Sequence, residues 1–261
     1  MLLAIDVGNT NITLGLFEEA KLKNDWRLST NQQNTRDELG LRILSLLQTT
    51  THQVDPQAVV ISSVVPYLNQ GLKEGLEKYL GLTPSFLKPD GNGLIQIETD
   101  EPHAVGPDRI ANSIAAQAKF ETPALVIDFG TATSFDLISG QGSFIGGAIA
   151  PEMEIAMEAL YERAALLPEI ELELPDSVIG KTTAQSLNSG FVFGFISLIS
   201  GMIDRFKREY SQELNVIATG GKGRIFYERI EQIPQYEEYL VLEGLRIWWE
   251  KRHRSKEQDQ I

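Results

Sequence analysis

Two short segments carry the same arrangement of chemistry. Asp6-Val7-Gly8-Asn9-Thr10-Asn11 closes one apolar run, and Asp128-Phe129-Gly130-Thr131-Ala132-Thr133 closes another. Glycine lets a backbone approach a phosphate closely, and the N–H groups of such a turn can point at its oxygens. Thr10, Asn11, Thr131 and Thr133 add short neutral donors. A carboxylate beside a phosphate needs a cation between them, so Asp6 and Asp128 are candidate ligands of Mg²⁺ or another hard cation, directly or through water. Asp and Gly are also common in plain hairpin turns. What sets this pair apart is its spacing: 122 residues, about half of a 261-residue chain.

The elements that must hold these turns follow the same half-chain period. Residues 2–7 and 12–17 read as two strands around a tight Gly/Asn turn. Thr35-Arg36-Asp37-Glu38 reads as a capping box opening a helix with Leu39, Ile43, Leu46 and Leu47 on its apolar face. Residues 58–65 form a continuous β-branched run suited to a buried strand, ended by Pro66 and a helix carrying Leu68, Leu72, Leu76 and Leu80. Residues 84–87 read as a further short strand and 89–107 as loop, with a helix starting at Pro107. The second half repeats the order: strands 124–129 and 134–138, a turn at Gly146-Gly147 and Pro151, a helix to about 165, a linker to Gly180, a long helix over about 183–210, and a strand 215–219 emptying into Gly220-Gly221. A last helix spans about 239–254. Strand, Asp/Gly turn, strand, helix, strand, repeated once, is an internal duplication. It implies an α/β protein of two lobes, 1–119 and 120–261, with a ligand cleft between them and the last helix able to pack back on the first lobe.

Composition narrows the function. The chain has 23 Lys and Arg against 36 Asp and Glu, a formal charge of −13, and no cysteine. Thiolate zinc sites, disulfides and a cysteine nucleophile are excluded. General nucleic-acid binding is disfavoured, since that affinity comes from cations meeting phosphates. His52, His103 and His253 lack ligand spacing. The N-terminus has no basic region ahead of its apolar run, and residues 191–203 fall short of the roughly 20 residues a membrane span needs. This stretch reads as part of a buried helix whose Phe191, Phe193 and Phe195 cannot all face one way. A cytoplasmic protein with no membrane partner is expected.

Residue by residue, the chain resembles a known family. Asp6-Val7-Gly8-Asn9-Thr10, Asp128-Phe129-Gly130-Thr131 and Ala218-Thr219-Gly220-Gly221 resemble the phosphate 1, phosphate 2 and adenosine motifs of the actin/hexokinase/Hsp70 ATPase superfamily, whose lobes are ribonuclease H-like. Gly106-Pro107-Asp108-Arg109 resembles the G-x-D-R signature of type III pantothenate kinases. Residues 146–151, Gly180-Lys181-Thr182-Thr183, Ser189-Gly190 and Leu242-Glu243-Gly244-Leu245 match further blocks in order.

The resemblance implies ATP-dependent phosphorylation of pantothenate, the first step towards coenzyme A; a non-catalytic regulatory relative of the same fold is the alternative. It implies that Asp108 is the proton acceptor, that Gly106, Pro107, Arg109 and Thr183 meet the substrate, and that Thr183 is supplied by the neighbouring subunit of a homodimer. Asp6, Gly8, Asn9, Thr10, Asn11, Thr131, Gly220 and Gly221 would line ATP, with Mg²⁺ near Asp6 and a monovalent cation, K⁺ or NH₄⁺, at Asp128. An acceptor carboxylate suits this chemistry, because the proton of the attacking alcohol leaves late in a loose transition state. Asp108 also suits the first turn of a helix on dipole grounds. The chain departs from the family at Thr99, where many members place a substrate-contacting Tyr, and at Glu152, where Gly is common.

Overall fold

The computed structural model describes residues 1–50, 55–221 and 223–258. His52 therefore lies outside the described residues. Two compact units emerge: residues 1–121, 138–146 and 239–261 form the first, and residues 122–137 and 147–238 the second.

The first unit is built on a five-stranded sheet. Its strands are β1 (Leu2–Val7), β2 (Asn11–Glu18), β3 (Lys21–Ser29), β4 (Ala58–Ser63) and the two-residue β5 (Ser85–Phe86), in the order β3-β2-β1-β4-β5. β1 runs antiparallel to β2 and parallel to β4. Alternation sorts the side chains of β1. Leu3, Ile5 and Val7 face one core with Ile12, Leu14, Val59 and Ile61. The helices α1 (Arg36–Gln48) and α2 (Pro66–Leu80) cover that side through Leu39, Ile43, Leu68 and Leu72. Asp6 faces the other way, between Thr13 of β2 and Ser62 of β4 in register.

The helix starts are chemically specified. Thr35 and Glu38 form a reciprocal capping box at α1, with the Thr35 N–H bonding Glu38 Oε2 at 2.8 Å. α2 opens on Pro66 and closes on Gly81 at φ 69°. The two helices cross at Gly40 and Gly75. A Cβ on Gly75 would stand 2.5 Å from the Arg36 carbonyl oxygen and 3.1 Å from the Gly40 nitrogen.

The remaining helix of this unit's N-terminal part is α3 (Pro107–Lys119). The second sheet contains β6 (Ala124–Phe129), β7 (Ala132–Ile138), β8 (Phe144–Pro151), β9 (Asn215–Thr219) and the short β10 (Gln235–Tyr236), in the order β10-β9-β6-β7-β8. Substituting β6 for β1, β7 for β2, β8 for β3, β9 for β4 and β10 for β5 reproduces the first sheet's order. The duplication read from the sequence is thus present in the topology. Gly146-Gly147 and Pro151 lie within strand β8, not in a turn as the sequence suggested. Gly146 holds φ 136°, and the strand's alternating burial continues across the pair.

The helices of the second half are α4 (Met153–Arg163), α5 (Thr183–Tyr210) and the five-residue α6 (Gly223–Tyr227). Glu152 caps α4, its carboxylate accepting the Glu154 N–H at 2.8 Å, which explains how a Glu serves at that position. α5 is not the buried helix expected. Only 33% of its most apolar 18-residue window is buried within the chain, although the helix has the length and apolarity of a membrane span. Its buried stripe is Asn188, Ser189, Val192, Phe195, Ile199 and Ile203. Leu198 is exposed on another face.

The last helix, α7 (Leu240–Gln258), runs further than the sequence suggested and belongs to the first unit. It packs on α3 and on the side of β1 and β2 that α1 and α2 leave open.

Gly75→Ala must force α1 and α2 apart. The expected cost is about 1–3 kcal/mol of stability, read as a lowered urea midpoint with an unchanged slope.

Candidate active site

The sequence-derived site residues divide between the units. Asp6, Gly8, Asn9, Thr10, Asn11, Thr99, Gly106, Pro107, Asp108 and Arg109 fall in the first, and Asp128, Thr131, Thr183, Gly220 and Gly221 in the second.

In the first unit, Asp6 is the penultimate residue of β1, and one of its carboxylate oxygens is shut off from solvent. The turn beyond it is tight. The Gly8 N–H bonds the Asn11 carbonyl at 2.9 Å, and the Thr30 hydroxyl bonds the Gly8 carbonyl at 2.7 Å. Asn9 and Thr10 are left exposed at its tip. Beside Asp6, the Ser62 hydroxyl is fully buried and makes no hydrogen bond within the chain. The sequence signal for Ser62 is a polar residue inside the apolar run 58–65, too faint to mark a site by itself.

Asp128 holds the same penultimate place in β6 and pairs in register with Thr219 of β9. The Gly130 N–H bonds the Ala132 carbonyl at 3.2 Å. The Gly220 turn closes directly over this point. A Cβ on Gly220 would lie 2.6 Å from both Asp128 Oδ1 and the Phe129 carbonyl oxygen, and Gly220 adopts φ 89°. Only glycine fits on both counts. The Tyr236 hydroxyl donates to the Gly220 carbonyl at 3.0 Å and fixes the turn from behind. Phe129 is locked by Phe226 and Phe195, with ring centroids 5.4 and 6.4 Å away, so α5 anchors the second Asp/Gly turn.

The signature loop explains its own spacing. Gly106 is the N-cap of α3, Pro107 its first residue and Asp108 its second. The Asp108 carboxylate turns back to accept the Arg109 N–H at 2.8 Å, passing through the space a side chain at 106 would occupy. The glycine therefore makes room for the aspartate two residues later. The carboxyl keeps some accessible surface, yet crowding by protein atoms is the largest influence on it. This desolvation raises its pKa above the ordinary 3.8 against the opposing Arg109 N–H bond and charge.

The Arg109 guanidinium lies over the Phe144 ring, 5.3 Å from its centroid. Phe144 in turn pairs with the segment leading to Thr99: its N–H bonds the Gln96 carbonyl at 2.9 Å, and its carbonyl accepts the Glu98 N–H at 2.8 Å. Phe144 is thus the seat shared by Arg109 and the Thr99 segment, a role no local motif announces. The Thr99 hydroxyl is buried and makes no hydrogen bond within the chain. An open pocket of about 560 Å³ adjoins the loop in the same unit, lined by Ser63, Asn69, Lys88 and His103 as well as Gly106 and Pro107.

Thr183 is exposed at the first residue of α5. The N-cap is its neighbour Thr182, whose hydroxyl accepts the Gln185 N–H at 3.2 Å. The loop before it is laced to the helix: Asn188 Oδ1 accepts the Glu173 N–H at 2.9 Å, and the Ser189 hydroxyl donates to the Val178 carbonyl. Among the described residues, no group of three or more carboxylate or imidazole side chains gathers to hold a metal.

Two halves with the same strand order, each closing its central strand on an aspartate and a glycine turn, define the actin-like class of ATPases and kinases. A solved inorganic polyphosphate/ATP-glucomannokinase from an Arthrobacter species shares the fold at TM-score 0.51 and 16% identity, over 97% of this chain and 99% of its own. Sequence gives the narrower group. A profile of the type III pantothenate kinase family matches residues 2–205. The type III pantothenate kinases of Myxococcus xanthus and Moorella thermoacetica are 41% and 43% identical, over 98% and 96% of this chain and 100% and 99% of theirs. The chain belongs to the type III pantothenate kinase family.

A raised folded-state pKa makes Asp108 bind its proton more tightly in the folded chain than in the unfolded one. Stability linked to that proton is complete below the ordinary carboxyl pKa and is lost as pH rises through the folded value. Asp108→Asn is therefore expected to melt higher than wild type at pH 7–8. Calorimetry should show the gap closing as the pH falls below about 4.

Proposed function

We propose that this chain transfers the γ-phosphoryl group of ATP to the primary hydroxyl of pantothenate, giving 4′-phosphopantothenate and ADP, the first step of coenzyme A biosynthesis. The observation that carries the reading is the Asp108 carboxyl, folded over Gly106 with its pKa raised by burial, in a chain of this family. A base whose pKa is raised accepts a proton more readily. Asp108 takes the proton of the attacking hydroxyl as the new P–O bond forms and the bond to ADP breaks. Arg109, held over the Phe144 ring, presents a guanidinium fork to the carboxylate of pantothenate. The buried Thr99 hydroxyl offers a contact where many relatives use Tyr.

In this reading each Asp/Gly turn offers backbone N–H groups and a hydroxyl to phosphate, that of the exposed Thr10 in the first unit and of the exposed Thr131 in the second, and Gly220-Gly221 serves the adenosine. The oxygens around Asp6, with Thr13 and the buried Ser62 hydroxyl in register, suit Mg²⁺, which is commonly held by one carboxylate plus waters and phosphates. Asp128 Oδ1 and the Phe129 carbonyl flank Gly220 and suit a monovalent cation. Bound Mg²⁺ would neutralise charge on the transferring phosphates.

The active unit in this reading is a homodimer in the cytoplasm. α5 supports the dimer: half-buried Phe191, Phe193 and Ile196 and exposed Leu198 leave much apolar surface for a second copy, as do exposed Leu166, Val178 and Ile179 near Thr183 in the sequence. Intramolecular core accounts for only one stripe of the helix.

ADP release with Mg²⁺, K⁺ and pantothenate is expected for wild type, and no pantothenate-dependent turnover rejects the reading. Asp108→Asn should lower kcat by about 10²–10⁴-fold with ATP affinity kept; equal loss of both would make Asp108 a structural or nucleotide-binding residue. Sedimentation should give a mass twice the 29.0 kDa of one chain, and Leu198→Asp should shift the equilibrium towards monomer. A wild-type monomer at assay concentration would sink the dimer.

A further inference from the structure

Helix α7 comes so close to α3 that no side chain fits between them at one point. A Cβ on Gly244 would stand 2.5 Å from the carbonyl carbon of Ala111 and 3.0 Å from its Cα, and nearer still to its carbonyl oxygen. The obstacle is backbone, which cannot swing aside as a side chain can. Ala111 is wholly buried and lies three residues after Asp108 on the same helix.

The other side of α7 rests on the first sheet. Leu242 Cδ1 reaches within 2.8 Å of where a Cβ on Gly15 would be, and the Arg246 guanidinium lies 5.8 Å from the Phe17 ring centroid. Thr13, Gly15 and Phe17 alternate onto one face of β2, and Thr13 is the register partner of Asp6. So α7 touches the helix that carries Asp108 and the sheet face that carries Asp6. The helix is braced along its length: Arg246 donates to Glu243 at 2.8 Å and to Glu250 at 2.7 Å, while Glu243 meets Lys119 at the far end of α3 at 3.8 Å.

We propose that Gly244 is a positioning residue for phosphoryl transfer: by letting α7 and α3 meet backbone to backbone, it fixes where the Asp108 carboxyl stands relative to the Asp6 turn. The proposal rests on the reading of Asp108 as proton acceptor. A methyl group at 244 needs α3 to retreat by about 1 Å, and a misplacement of that size costs a positioned reaction on the order of 10²-fold. The retreat also admits water to the Asp108 carboxyl, which lowers its pKa.

The test is Gly244→Ala in the full chain, with two readouts. Steady-state kinetics should show kcat for pantothenate reduced on the order of 10²-fold, with the KM for ATP within about twofold of wild type. The ¹³C NMR titration of the Asp108 carboxyl should move down towards 3.8. An unchanged kcat in the folded variant overturns the proposal, and so does a parallel loss of kcat and ATP affinity with the Asp108 titration unmoved. Should wild type turn over no pantothenate, the functional reading falls, and the NMR arm still decides the helix contact. If Gly244→Ala yields no folded protein, Lys119→Met loosens the same helix pair without adding bulk. It should cost roughly two- to fivefold in kcat, the scale of one partly exposed ion pair, with the Asp108 titration moved down; no change in either overturns the proposal.

Discussion

Each sheet places a carboxylate one residue before its central strand ends, and the rest of the architecture answers to that placement. A carboxylate there is flanked by strands on both sides and loses water from its flanks, so its neighbours must be small and polar. Thr13 and Ser62 stand beside Asp6, and Thr219 beside Asp128. Two residues on, the chain turns within hydrogen-bonding distance of itself, at Gly8 and at Gly130. In the second unit the constraint reaches further. The Gly220 turn packs against Asp128 so tightly that a glycine with positive φ is demanded there. A glycine far away in sequence is thus dictated by one aspartate.

The duplication was legible because it is written in buried residues. The runs 2–7 and 124–129 are apolar on both faces and end on the same Asp-x-Gly, which few other arrangements explain. The outer strands were not. β3 alternates exposed and half-buried residues through Lys21–Ser29, with Trp26 and Leu28 packed against the core, but it carries no apolar run of the kind that marks the inner strands. Its counterpart β8 carries two glycines and a proline, which read as a turn when the sheet that supplies their partners is out of view. The two-residue β10 is too short to leave any period. Helix α5 has the bounds its sequence suggests but only one buried stripe, since apolar content does not say how much of a helix its own chain covers.

At the candidate site, sequence singles out the residues proposed to bear chemistry more readily than those that would aim them. Asp108, Arg109 and the two phosphate-type turns stand in motifs. Phe144, which seats Arg109, and Ser62, which faces Asp6, are marked only by register between distant segments. Thr182 and Thr183 show the limit from the other side. Both can cap a helix, and only the backbone decides that Thr182 does so, leaving Thr183 exposed. The −13 charge likewise proved a poor guide to ligand charge. A small anion answers to a few oriented N–H groups, a guanidinium and cations within a few ångströms, not to a net sum screened by salt.

The assignment of α7 to the first unit has a consequence for how the chain is made. Residues 1–121 leave the ribosome early, yet the helix that covers one face of their sheet begins at Leu240. At about 5–20 residues per second, the intervening stretch takes roughly 6–24 s to synthesise. Throughout that interval the face holding Gly15 and Phe17 lacks its cover, while the whole second unit emerges behind it. Translation therefore completes the molecule out of order: the unit that starts first finishes last, and a nascent chain stalled before residue 240 exposes the same apolar face to the cell's chaperones.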